Sequence, residues 1–321
     1  MPQQQGSTSI LVYDTESTYA TDPGTPDVRV LPFSSEGLGL NTNIVSSETI
    51  NNTRNRSKNF RGNKSVEGDI TTELNPYMAT IFKHVLGTLA STGASPYVHT
   101  IKVGNLPAGI VIEKQFPNLA TPQYFKYNGC KINSCRMSFK SEGAITTVFN
   151  ILGAKETVGT SALDASATDY GNVPWEMMEA TLTEGGSAST IVTELDILIE
   201  NNLDGSVFTI GNSGQRKELP VGTVKVSGTL KALFDSVTLY NKAVNNTESS
   251  IKVSFSRGDG LGSAGNEFTE LLIPELIYTP KSPMITGALG VFTELSYEGY
   301  YQNSSEASTF QAIFKNTIAT P

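Results

Sequence analysis

The chain has 321 residues, a formal net charge of −8 and a pI near 5.0, with 38% hydrophobic and only 17% charged residues. That length suggests two domains, and the abundance of Ser, Thr, Asn and Gly suits a β-rich protein with many turns. The acidic balance disfavours a free-standing binder of nucleic-acid phosphates, and no apolar run approaches the roughly 18 residues of a membrane span.

In chain order, residues 1–29 open with Met1-Pro2-Gln3 and lack the basic and apolar regions of a secretory signal. They read as a polar N-terminal arm, ordered mainly by a partner. A first domain is expected over residues 30–158. Within it, the connection from Asn51 to Lys64 carries Arg54, Arg56, Lys58, Arg61 and Lys64 and no acid, a local reversal of sign in an acidic protein. Val66, Gly68 and Ile70 then alternate with polar residues, the period of a half-buried strand. Asn75-Pro76 reads as an N-cap followed by proline at the first helical position, predicting a helix over Pro76–Leu86. An extra hairpin-like segment is expected around Thr88–Gln123.

The histidines are His84, on that helix, and His99, in the strand-like Tyr97–Ile101. Neither neighbours a nucleophile motif, so both read as structural. Cys130 and Cys135 stand an odd number of residues apart, which on a regular strand places them on opposite faces. With no second Cys or His pair, a zinc site is disfavoured. Two cysteines make no disulfide framework, and synthesis in a reducing cytoplasm is the simpler reading.

Residues 159–185 read as a linker, rich in Ser, Thr, Ala, Asp and Gly. Its apolar knot, Val173-Pro174-Trp175-Glu176-Met177-Met178, holds the single Trp and is expected to pack over a domain edge. A second domain is expected over residues 186–303. There Val226, Gly228 and Leu230 alternate, and Asp235-Ser236 opens a second helix, Ser236–Val244. The glycine-rich Gly258–Gly265 follows the strand Ile251–Phe255 but opens no helix, so a hairpin tip is favoured over a phosphate loop. Residues 304–321 read as a polar C-terminal arm.

The two expected domains look like copies of each other. A shift of 160 residues sets Arg56 on Arg216, Val66 on Val226, Gly68 on Gly228 and Ile70 on Leu230. A second stretch repeats at a shift of 147, with Met137 on Met284, Gly143 on Gly290, Ile145 on Phe292 and Val148 on Leu295.

The block Arg61–Ile70 followed by a helix ending at Leu86-Gly87 resembles tail tube proteins of long-tailed bacteriophages. So does Glu200-Asn201-Asn202-Leu203 leading into Val224–Leu230 and Phe234-Asp235, and the closing Leu272–Leu276 with Gly287–Tyr301. The resemblance spans most of residues 30–303. It implies a mainly β fold of two tandem tail-tube-type β-sandwich or half-barrel domains, each with one short flanking α-helix. It further implies a structural virion protein, made in the host bacterial cytoplasm, whose subunits form rings that stack into a tube with a β-barrel lumen for the genome. Two such domains per chain imply a pseudo-sixfold ring of three chains. The partners implied are the chain itself, the tape measure, tail terminator and distal tail proteins, and viral DNA sliding past without specific binding. No membrane, cofactor, metal or catalytic residue is implied. Lumen candidates are Glu142, Asn150, Glu294 and Glu298, in or beside the repeated hairpins. The basic residues Arg54, Arg56, Lys58, Arg61 and Lys64 are the candidate contact between rings. The competing reading is a receptor- or carbohydrate-binding module of a phage fibre, which a single Trp and scattered Tyr residues disfavour.

Overall fold

The computed structural model describes residues 3–285 and 287–320. Its architecture is mainly β. Strands β1 (Ile10–Glu16), β2 (Arg29–Val30), β3 (Ser35–Glu36), β4 (Gly39–Val45) and β5 (Phe60–Glu73) lead to helix α1 (Ala79–Leu86). Then come β6 (Gly87–Gly93), β7 (Tyr97–Val103), β8 (Gly109–Phe116), β9 (Gln123–Lys140), β10 (Thr146–Gly153) and β11 (Lys155–Gly159). After β12 (Ala180–Glu184) and β13 (Ser187–Ala188) follow β14 (Val192–Glu200), β15 (Lys225–Leu233), α2 (Thr238–Val244), β16 (Ser249–Ser256), β17 (Phe268–Tyr278), β18 (Phe292–Tyr300) and β19 (Gln311–Asn316).

One long strand organises the molecule. The first part of β9 pairs with β8 and β11, while its second part pairs with β10 and β14. Between them lies a bulge at Asn133: Ser134 faces Asn150 and Ile132 faces Ile151, so Asn133 is the extra residue. The bulge resets the alternation. Cys130, Ile132, Cys135 and Met137 are all fully buried, so the cysteines do not lie one in and one out as a regular strand would have them. Burial pushes both thiols well above their ordinary range.

Through β9 the antiparallel order β4–β5–β10–β9 continues without a break into β14–β15–β18. The two stretches share one pairing scheme. Phe149 faces Ile70 and Gly153 faces Val66, as Leu295 faces Leu230 and Gly299 faces Val226. Relative to β5 and β15, the strands β10 and β18 therefore correspond at a shift of 146. The sequence shift of 147 is one residue out, a slip that sets a buried position on an exposed one. Arg56 and Arg216 do not correspond in role either, since Arg56 is exposed and Arg216 is buried.

The glycine shared by β5 and β15 answers to close approach. A Cβ on Gly68 would meet the Gly37 carbonyl oxygen at 2.3 Å, and one on Gly228 would meet the Asp196 oxygen at 1.9 Å. Both helices start later than their capping residues predict. Asn75 Oδ1 accepts from the Tyr77 N–H (2.9 Å), which spends the side chain on a turn before α1. Ser236 Oγ meets the Thr238 N–H in the same way at 3.4 Å.

The extra segment of the first half is the β6–β7 hairpin. The chain ends are not loose arms. β1 pairs along its length with β8, and Leu11, Val12 and Tyr13 are buried. β19 lies between β17 and β7, with Ala312 and Phe314 buried, and so ties the second half of the chain to the first. Each carries a short apolar run, Ile10–Tyr13 and Ala312–Phe314, most of which is buried against its neighbours. Residues 159–185 likewise contain β12 and the fully buried Trp175. Asn201, also fully buried, donates to the carbonyls of Val85 and Ile132 at 2.9 Å each, joining the end of α1 to β9.

Candidate assembly surfaces

The continuous sheet buries one face and shows the other. Its side-chain rows can be followed from strand to strand, because directly opposed antiparallel residues point the same way. One outer row runs Asp69, Asn150, Ser134, Glu200, Lys225. The next runs Thr71, Val148, Arg136, Leu198, Ser227, Glu298. A third runs Glu73, Thr146, Ser138, Asp196, Thr229, Ser296, and a fourth runs Lys140, Glu194, Lys231, Glu294. Acids outnumber bases on this face. Within it Asn150 Nδ2 donates to Asp69 (2.6 Å), Ser138 Oγ donates to Asp196 (2.5 Å), and Lys231 pairs with Glu194 (2.5 Å). At the rim, the hydrogen bond to Glu248, with burial second, pushes the Tyr300 hydroxyl up to about 12.

Of the lumen candidates, Asn150, Glu294 and Glu298 lie together on this outer face. Glu142 does not, because it sits exposed in the turn between β9 and β10. Sequence reasoning missed Asp69, Glu73, Glu194, Asp196 and Glu200, although the alternation on β5 and β14 marks each of them as opposite to a core residue.

At one end of the face the connection between β14 and β15 folds back over β5 and β10. Its Arg216 is buried and donates to the carbonyls of Gly205, Val66 and Gly153 and to Glu67 (2.5 Å). Lys64 N–H meets the Gly214 carbonyl at 2.7 Å.

The basic residues lie on the β4–β5 hairpin. β10 covers β5 only from Val66 onward; Phe60–Ser65 continues with β4 as its sheet partner, Gly62–Lys64 lie against the Gly214 turn of the β14–β15 connection, and the hairpin tip beyond them projects. Arg61 and Lys64 belong to β5 itself, whereas Arg54, Arg56 and Lys58 belong to the connection 46–59. Among the described residues none of these five cations forms an ion pair. They share the hairpin with exposed apolar side chains: Ile44, Val45, Ile50 and Phe60.

The groups most suggestive of chemistry are used structurally. His84 is buried, bonded to Thr15 Oγ1 (2.9 Å), and burial holds its pKa down at about 3. His99 meets Ser91 Oγ at 2.8 Å and the Ile318 carbonyl at 2.9 Å, and burial lowers its pKa too. The Gly258–Gly265 stretch is the tip joining β16 and β17, where Gly258, Gly260, Gly262 and Gly265 take positive φ. Among the described residues no three His, Cys, Asp or Glu side chains gather to hold a metal, and no helix is long and apolar enough to cross a membrane.

No curated protein matches the chain. The sequence model of one family, described as phage tail tube protein, matches residues 6–299, which takes in the continuous sheet, the projecting hairpin and both helices. A mainly β chain, with a long half-exposed sheet and that match over nearly its whole length, belongs to the phage tail tube protein family.

Proposed function

We propose that this structural tail protein is a ring subunit whose outer sheet face lines the lumen through which the genome passes. The observation carrying this reading is the continuous, mostly polar face from β5 to β18, interrupted by Val148 and Leu198, with its excess of Asp and Glu. Negative charge there repels DNA phosphates, so a duplex slides without adhering. Catalysis has no part in this role. The subunit acts within the tail of the virion, after synthesis in the host cytoplasm, and meets tape measure, terminator and distal tail proteins at the ends of the tube.

The repeated pairing scheme supports reading residues 30–158 and 186–303 as two tail-tube units, with three chains per pseudo-sixfold ring. The projecting β4–β5 hairpin supports a contact between rings, its cations meeting carboxylates of the next ring. Each exposed ion pair contributes only about 0.2–1 kcal/mol, but every subunit around the circumference repeats it. The test is electron microscopy of the purified protein, with mass measurement of isolated rings. Stacked rings of three chains are expected. Six chains per ring would overturn the trimer, and dispersed particles under all conditions would overturn the tube reading. A lumen map dominated by Lys and Arg would overturn the account of DNA passage.

A further inference from the structure

Each half of the chain holds a groove between its leading strand and the start of the strand that pairs with β5 or β15, β3 in the first half and β14 in the second. The leading strands correspond, since β1 pairs β8 as β12 pairs β16, and a short 3-10 turn precedes each (Gly6–Thr8 and Met177–Glu179). In the second half the groove lies among Leu182, Val192 and Thr193, holds about 170 Å³, and is walled on one side by Phe139 and Lys140 from the end of β9. Phe139 is thereby 3% exposed. The equivalent groove of the first half lies among Leu11, Phe33 and Ser34 and holds about 380 Å³. Its other walls come from its own half and from Asn172, and among the described residues none stands in the place of Phe139.

The residue that corresponds to Phe139 in the second half is Ile285. Met284 bridges Phe292 as Ser138 pairs with Thr146, and Ile285 and Phe139 come next. Met284 and Ile285 are 63% and 82% exposed. An apolar knob thus stands exposed at one end of the molecule, and an open apolar groove at the other. The junction inside the chain already joins such a knob to such a groove. Beside it the same contrast recurs: Leu74 is 0% exposed, its carbonyl met by the Trp175 N–H at 2.8 Å, whereas its counterpart Phe234 is 38% exposed.

We propose that Ile285, with Met284, enters the Leu11–Phe33 groove of a second copy of this chain, repeating between chains the contact that Phe139 makes within one. The proposal deepens the tube-subunit reading and rests on it. Such a contact is head-to-tail, so it joins chains in series rather than as a symmetric pair, and gives a ring where the rotation between neighbours closes. Burying an isoleucine in this way strengthens each contact by about tenfold or more.

The test uses the full chain. Ile285→Asp changes an exposed side chain, so the monomer should melt as the parent does, while the concentration needed to form rings rises about tenfold or more. Ser34→Cys and Ile285→Cys, made as separate variants and mixed, should join through a short thiol cross-linker in assembled rings, the native cysteines being fully buried. If the parent forms rings while Ile285→Asp assembles equally well and the mixed variants do not cross-link, this contact is wrong and the tube reading stands. If the parent itself forms no rings, the tube reading falls and the contact with it.

Discussion

Truncating Trp175 to alanine tests the junction between the halves directly. Its indole is fully buried, stacks on Phe255 with ring centroids 5.6 Å apart, and donates from Nε1 to Thr269 Oγ1 at 3.0 Å. The Arg257 guanidinium lies 4.5 Å from the ring, itself anchored by Glu179. An aromatic side chain buries about 150–250 Å², which at about 25 cal/mol per Å² contributes roughly 4–6 kcal/mol. Partial collapse of the site and the orphaned Thr269 hydroxyl act in opposite directions, so a net loss of about 4 kcal/mol is expected. Urea denaturation followed by far-ultraviolet circular dichroism measures it, with the melting temperature falling by about 6 °C. Trp175→Phe keeps the stack on Phe255 but loses the hydrogen bond, and should cost about 1–2 kcal/mol. A loss below about 1 kcal/mol for the alanine variant would refute the packing argument.

Gly228→Ala should destabilise by about 2–3 kcal/mol, because its methyl group would strike the Asp196 carbonyl, while Gly290→Ala, with open space around it, should stay within about 0.5 kcal/mol; equal melting of the two variants would contradict the close-approach account. For His84, burial first and Lys83 second hold the folded-state pKa near 3, so the unfolded chain takes up a proton below about pH 6.5 that the folded chain refuses. Below that point stability should therefore fall on acidification by about 1.4 kcal/mol per pH unit more in the parent than in His84→Gln; His99, lowered by burial, acts in the same sense and Glu16 and Glu113, raised by burial, in the opposite one, but in both proteins, so they cancel in the comparison. Replacing Arg54, Arg56 and Arg61 by Ser should leave the monomer's melting unchanged and raise the concentration needed for tubes, with a weaker salt dependence than the parent; tube assembly equal to the parent's at low and moderate salt would remove the hairpin from the contact between rings.

What could be read from the sequence was whatever depends on regular alternation. Val66, Gly68, Ile70 and their partners Val226, Gly228, Leu230 announce half-buried strands, and Glu294 and Glu298 share a face because they stand four apart on one of them. What escaped depends on departures from alternation or on pairing between distant segments. The bulge at Asn133 turns Cys130 and Cys135 to the same side, and no residue type marks it beforehand. The correspondence of Val148 with Leu295 fails by one residue because few identities anchor that stretch, and the pairing of Phe149 with Ile70 is what sets it right. Glu142 sits beside the right strands but in their turn. The polar composition around β1 and β19 suggested arms, since the short apolar runs Ile10–Tyr13 and Ala312–Phe314 are outnumbered by the polar residues that flank them.

β19 reaches from β17 to β7, and β9 lies beside β14, so the halves of one chain are sewn together along two separate seams. In a ring of three such chains, only the three junctions between chains lack the second seam within a single backbone. Bending of a tube would then concentrate at alternate joints, and a ring with six similar faces would flex with threefold rather than sixfold compliance.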